Sequence, residues 1–367
     1  MTKKKTKFQL AQEQAEAAIT KTNEKIDELG INTSNLYGKL NTIQVQLDAI
    51  RNVPSEKRIQ YEHLKKVRLS WKQQAEKIEA DFKAATVKNA GGGAAGVGAG
   101  VAVAALGPTA AMGIATTFGV ASTGTAISTL SGAAATNAAL AWLGGGALAV
   151  GGGGMAAGNA FLALAGPVGW AIAGVALLGS GVLLWKAKSE KERLENVFTL
   201  VSKRDTKSYE LAIVELNERI TRIQDVSDLF DEAIKKIQTF DLYYDRMTEA
   251  QQYELGSYVN LMEASTQLLV NPIMGLLPKY TEADFDEFVS DTDELSSTYY
   301  KRYKNLLITL SNLFYKIDID EMDQKLLTRS FKKNKEFLSS MKMDKKDFDV
   351  TIMYSMEKCL KYKYSNS

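Results

Sequence analysis

Residues 19–50 read ITKTNEKIDELGINTSNLYGKLNTIQVQLDAI. Ile19, Ile26, Leu29, Leu36, Leu40, Ile43, Leu47 and Ile50 recur along this stretch, and Thr22 and Thr33 fill the open slots, so the step is 3, 4, 3, 4 throughout. That spacing keeps one narrow apolar line on a helix and predicts a coiled-coil seam. The run closes at Asn52-Val53-Pro54, because a proline cannot continue the helix. Ser55 is expected to cap a second helix through its hydroxyl, with Glu56 favourable in the first turn. Leu64, Val67, Trp71, Ala75, Ile78, Phe82 and Ala85 supply the stripe of that helix. Two helices joined by so short a turn predict an antiparallel hairpin.

Beyond Lys186 the same spacing returns. Ile213, Leu216, Ile220, Ile223, Phe230, Ile234 and Ile237 step by 3 and 4, with Ser227 in the open slot. A single helix is expected from Lys186 to about Phe240, roughly 80 Å long at ~1.5 Å per residue. Further helices are expected at about 246–271, 282–317, 320–341 and 344–362, punctuated at Asn271-Pro272 and Leu277-Pro278. No convincing period-2 segment occurs in these flanks. The fold class is therefore all-α: an elongated bundle of long helices. Most of the tyrosines fall after residue 200. At helical spacing they suit half-buried packing with a wet hydroxyl, the other use being a surface for an unidentified protein partner.

Between these charged flanks lies a segment of opposite character. From 89 to 185 there is no Asp, Glu, Lys or Arg, although the chain carries 45 basic and 43 acidic residues, and 24 of its 28 glycines sit there. Charged groups are what keep a folded surface soluble, so a charge-free stretch of this length is expected to be buried in the protein, in a partner or in lipid. The chain thus divides into 1–88, a helical hairpin; 89–185, a glycine-rich membrane-interacting segment; and 186–367, a long helix followed by C-terminal helices.

The strongest spanning candidate is the last part of the segment. Val168, Trp170, Ile172, Val175, Leu177, Leu178, Val182, Leu183, Leu184 and Trp185 are its insertion residues, within a stretch long enough for the ~20 residues a crossing needs. Gly92, Gly96 and Gly100, and again Gly154 and Gly158, recur at spacing four, which puts them on one helix face where backbones can pack closely. A flexible linker would omit the Leu, Ile, Val, Phe, Met and three tryptophans interspersed here. Lys88 on one border, with Lys186 and Lys188 on the other, are expected interface anchors. Basic residues on both borders put both flanks on one side of the bilayer and imply an even number of crossings.

Catalysis finds no motif. His63 is the lone histidine, in a polar helical stretch, and Cys359 the lone cysteine, read as a small packing residue. No phosphate loop, nucleophile elbow or zinc-ligand pattern appears, so no catalytic residue, cofactor or metal is expected. The net charge of +2 implies no nucleic-acid partner. Residues 8–14 lack the apolar core of a signal peptide, so synthesis in the cytoplasm without classical secretion is expected, followed by membrane association.

In layout, the chain resembles the α-helical pore-forming toxins: cytolysin A and the components of haemolysin BL and the non-haemolytic enterotoxin. The matching features are long helices at 8–52, 55–88 and 186–240 and an apolar insert, 89–185, between the second and third. The resemblance is architectural and carries no specific motif. It implies a hydrophobic head that enters a bilayer as the protein assembles into a homo-oligomer. The insert here is longer and richer in glycine than a simple hairpin head, and an intracellular membrane-disrupting effector fits the absent leader. The other readings are a constitutive integral membrane protein with cytoplasmic coiled coils, and a helical scaffold whose apolar segment is buried in a homo-oligomer.

Overall fold

A computed structural model describes residues 5–90, 188–271, 273–276, 279–333, 338 and 343–366. The chain is all-α. Helix α1 spans Lys7–Ala49, α2 Ser55–Ala90, α3 Lys188–Ile237, α4 Glu249–Val270, α5 Glu282–Ser290, α6 Glu294–Arg302, α7 Lys304–Leu313, α8 Glu321–Lys333 and α9 Val350–Asn366. Short 3₁₀ turns at Tyr244–Arg246 and Met274–Leu276 lead into and out of α4.

Thr6 caps α1 by accepting the Gln9 N–H, and the Gln9 side chain returns the bond to Thr6 N–H. Helices α1 and α3 then run parallel in fixed register. Lys39 Nζ donates to the Ser227 carbonyl at 3.0 Å and Gln46 Nε2 to the Ile234 carbonyl at 3.1 Å, each across a separation of 188 residues. At their far ends Arg51 N–H donates to Leu242 and Tyr244 N–H to Arg51, forming an isolated parallel bridge. Leu29, Leu36, Leu40, Ile43 and Leu47 face Leu216, Ile220, Ile223 and Phe230 in one core. Thr22, Thr33 and Ser227 are buried in the seam slots that the spacing left to them.

Helix α2 turns back, and its register is antiparallel to α1: Lys65 pairs with Asp48 at 2.8 Å, Arg68 reaches Gln44, and the rings of Trp71 and Tyr37 lie 5.7 Å apart. Helix α4 also runs back along α3, where Arg219 donates to the carbonyls of Leu268 and Asn271, both at 2.8 Å. Two helices up and two down make a four-helix bundle. A second core gathers Phe8 from the start of α1, Leu194, Val197, Phe198 and Val201 from the start of α3, and the apolar faces of α5 to α9. Helix α3 is the shared spine.

Four expectations are corrected. Helix α2 begins at Ser55 itself, with the Pro54 carbonyl accepting from Arg58 N–H, so Pro54 occupies the cap position and Ser55 the first turn. The helix expected over 282–317 is three helices. Asp291 N–H closes α5 onto Phe288 and Val289, Asp293 caps α6 through Ser296 N–H, and Tyr303 turns the chain into α7. Closely spaced Asp and Thr side chains offer the backbone these local bonds in place of a continuous helix. Helix α9 starts at Val350 rather than 344, since Asp347 N–H closes a turn onto Asp344 and Asp349 accepts from Thr351. In α3, Ala212 and Ala233 are buried where Ile213 and Ile234 were expected, and the latter two are half-buried. Here the buried series Val201, Asp205, Tyr209, Ala212, Leu216, Ile220 and Ile223 steps 4, 4, 3, an 11-residue period. The small side chain at Ala212 admits the 274–276 turn: a Cβ built on Gly275 would stand 2.9 Å from the Ala212 nitrogen.

Candidate functional site

The candidate insertion residues Val168, Trp170, Ile172, Val175, Leu177, Leu178, Val182, Leu183, Leu184 and Trp185 lie outside the described residues, as do Gly92, Gly96, Gly100, Gly154, Gly158 and Lys186. Among the described residues no helix is long and apolar enough to cross a membrane. What the structure does describe is the mounting of the charge-free segment. Lys88 belongs to the last turns of α2. Lys188 opens α3, exposed, with its ammonium 3.7 Å from Glu192. Because α1 and α3 are parallel and α2 is antiparallel to both, the end of α2 and the start of α3 point toward the same end of the rod.

The start of α3 is held firmly. Arg193 forks between Asp320 and Asp323, at 2.5 Å for the second, and both carboxylates precede or open α8. The two acidic partners raise the pKa of Arg193, and Asp320 is held below the usual carboxylate range by the Asp323 N–H and by Arg193. Glu190 meets Arg329 at 3.3 Å, and Leu194 is fully buried in the second core beside Val197 and Phe8. Three contacts within the first two turns fix the direction in which the chain leaves the charge-free segment.

The rod itself carries buried polar layers that the sequence reading missed. Arg68 is 1 % exposed in the four-helix core. Its Nη2 donates to Gln44 Oε1 at 2.6 Å and its Nη1 to Thr266 at 3.4 Å, while its Nε and the neighbouring Trp71 Nε1 have no partner among the described residues. Burial pushes the Arg68 pKa down to about 10. The signal was present: Tyr61, Leu64, Arg68 and Trp71 are spaced 3, 4, 3, so the arginine occupies a seam position.

A second polar layer lies where the two cores meet on α3. Asp205 is buried, with Oδ1 accepting from Arg204 at 2.8 and 2.9 Å and Oδ2 without a partner among the described residues. Arg204 also donates to the carbonyls of Leu313 and Tyr315 at the end of α7. The buried Tyr209 hydroxyl is likewise unpartnered among the described residues. Desolvation pushes Asp205 up to about 6, against the opposing pull of Arg204 and Lys279. These groups weaken the packing between the cores, because a buried polar atom without a partner costs about 1–3 kcal/mol.

His63 is exposed on α2. Cys359 is fully buried in the second core, its thiol pushed up to about 12 by desolvation. Among the described residues no group of His, Cys, Asp and Glu is arranged to hold a metal ion. Comparison with known proteins finds no matching family model, curated protein or solved structure.

Proposed function

We propose that this chain is a membrane-inserting helical protein that assembles on a bilayer and permeabilises it. The observation that carries the reading is the run from 89 to 185 without one ionisable Asp, Glu, Lys or Arg, set between flanks that hold every such charge of the chain. Lipid is the surrounding in which such a segment needs no charge. The rod supports this use in two ways. The borders of the segment point to one end of the rod, so a hairpin or double hairpin can leave and return without separating α2 from α3. The α3 border is clamped by Arg193, Glu190 and Leu194, so the rod transmits its position to the segment.

The test replaces 89–185 with a short polar linker. The variant should keep its helical content and release no dye from liposomes under conditions where the intact chain does. Equal leakage from both would overturn the proposal. An intact chain that releases no dye and always requires detergent would point to a constitutive membrane protein instead.

A further inference from the structure

Helix α1 carries a second seam on its outer side. Ile31, Asn35, Gly38, Thr42 and Val45 step 4, 3, 4, 3, opposite the buried line that runs from Leu29 to Leu47. Ile31 and Val45 are 60 % and 68 % exposed, and Asn35, Gly38 and Thr42 are exposed between them. A Cβ on Gly38 would meet nothing within 4 Å, so no described element covers the middle of the stripe. From Leu29 to Leu47 the helix holds one charge, Lys39, and Asp231 of α3 already binds it at 2.7 Å. An otherwise heavily charged rod thus leaves an uncharged face ~20 Å long, at ~1.5 Å per residue, with two aliphatic side chains standing in water.

The order of the residues fixes the occupant. Counted from Gly38, Asn35 and Asn41 lie three residues away on either side, Ser34 and Thr42 four, and Ile31 and Val45 seven. Amide answers amide, hydroxyl answers hydroxyl, and one β-branched aliphatic side chain answers another. A two-fold axis through Gly38, perpendicular to α1, exchanges the members of each pair, since residue i meets j and j meets i across such an axis. Ile31 then packs on the partner's Val45, and the Asn35 amide can both donate to and accept from the partner's Asn41. Gly38, at the axis, adds no side chain to hold the two helices apart. The first charges beyond the pattern, Glu28 and Asp48, are held by Lys25 at 2.6 Å and Lys65 at 2.8 Å, so the rims are already neutralised.

We infer that the outer face of α1 binds a second copy of the chain, antiparallel, about a two-fold axis at Gly38. One helix face is a small interface, so the pairing is reversible. It also sets the two rods head to tail. The ends from which 89–185 leaves then point in opposite directions, and two paired copies cannot both present that segment to one bilayer. The pair is a resting form, which must part before both copies insert on the same side. That role rests on the proposal that 89–185 enters lipid; the pairing itself does not.

The experiment crosslinks the full chain in a Cys359→Ser background, with copper phenanthroline as oxidant and without lipid. Asn35→Cys and Asn41→Cys both stand at exposed positions. Mixed, the two chains should form a disulfide-linked dimer, because residue 35 of one copy faces residue 41 of the other. Each chain alone should stay single. Two copies of residue 35 would stand ~9 Å apart along the axis, at ~1.5 Å per residue, beyond the ~7 Å between Cα atoms that a disulfide spans. Ile31→Glu with Val45→Glu, added to both chains, should lower the linked fraction at least tenfold at unchanged helical content. Self-linking of either chain alone, a mixture without linked dimer, or linkage that survives Ile31→Glu with Val45→Glu would each overturn the pairing. The linked dimer should release less dye from liposomes than the same sample after reduction. Equal release would overturn the resting role, whereas a reduced sample that releases none would overturn lipid entry and not the pairing.

Discussion

Arg68 and Gln44 meet in the middle of the four-helix core, Nη2 to Oε1 at 2.6 Å, on helices that run antiparallel. A guanidinium is thus balanced there by a neutral amide. The lowering of its pKa from 12.5 to about 10 corresponds to a burial cost on the order of 3 kcal/mol, since each unit is about 1.4 kcal/mol. The folded pKa of this base is depressed, so the cost is fully present below pH 10 and is relieved only as pH rises above it. Gln44→Leu alone should lower stability by about 1–3 kcal/mol, because it strands the charge. Gln44→Leu with Arg68→Met should be at least as stable as wild type, because buried polar pairs replaced by packed apolar ones are neutral or stabilising. Thermal melts of the two variants check the opposite signs; equal destabilisation would mean the arginine contributes net stability.

Asp205 predicts an acid-side gain of stability. Its folded pKa of about 6 lies above the ~3.9 of an unfolded aspartate, so the folded state holds the proton more tightly. Stability from this group therefore rises as pH falls from 7 through 6 toward 4. Between pH 7 and pH 5 the gain is about 1 kcal/mol by linkage, or roughly 3 °C in Tm. Asp205→Asn should flatten the Tm profile between these two values. The groups facing Asp205 are Arg204, Tyr209 and Lys279; burial raises the Tyr209 phenol and lowers the Lys279 ammonium. A wild-type Tm that is equal at pH 7 and pH 5 would count against the burial of this carboxylate.

Two glycines should respond to alanine in opposite directions. Gly38 is exposed in the middle of α1, and a Cβ there meets nothing within 4 Å. Gly38→Ala should stabilise by about 0.5–1 kcal/mol, through the helical preference of alanine alone. Gly275 lies in the turn against α3, where a Cβ would crowd the Ala212 backbone at 2.9–3.0 Å. Gly275→Ala should destabilise by about 1–3 kcal/mol, since backbone must move. The two melting temperatures, one above and one below wild type, are the measurement.

The long helices were legible because their seams repeat over many turns: Leu29 to Ile50 and Leu216 to Phe230 leave one pattern that only a helix packed along one face satisfies. The short helices were not, because the break at Asp291-Thr292-Asp293 depends on one side chain accepting one N–H, and no periodicity marks it. The parallel pairing of α1 with α3 was also hidden. Each seam fixes its own face but not its mate, and the register is set by Lys39 and Gln46 reaching carbonyls 188 residues away. Arg68 was hidden because the apolar stripe passes through Leu64, Val67 and Trp71, and a charged side chain does not register in a pattern of apolar residues.

The last prediction follows from the proposal that 89–185 enters a bilayer, and concerns the side on which the rod would then lie. Ser55 opens α2 at the far end of the rod, exposed, and Lys207 is exposed on α3. Both belong to one packed body, since α1, α2 and α3 share a core. A bilayer cannot pass between helices that bury the same apolar residues, so Ser55→Cys and Lys207→Cys should label with a membrane-impermeant maleimide from the same side of sealed vesicles. Cys359 should stay silent, because it is buried and its thiol holds its proton to about pH 12. Asn137→Cys, inside the charge-free segment, should be shielded or label only from the opposite side. Labelling of Ser55→Cys and Lys207→Cys from opposite sides would demand an odd number of crossings, and the shared core of α1, α2 and α3 would then have to come apart on insertion.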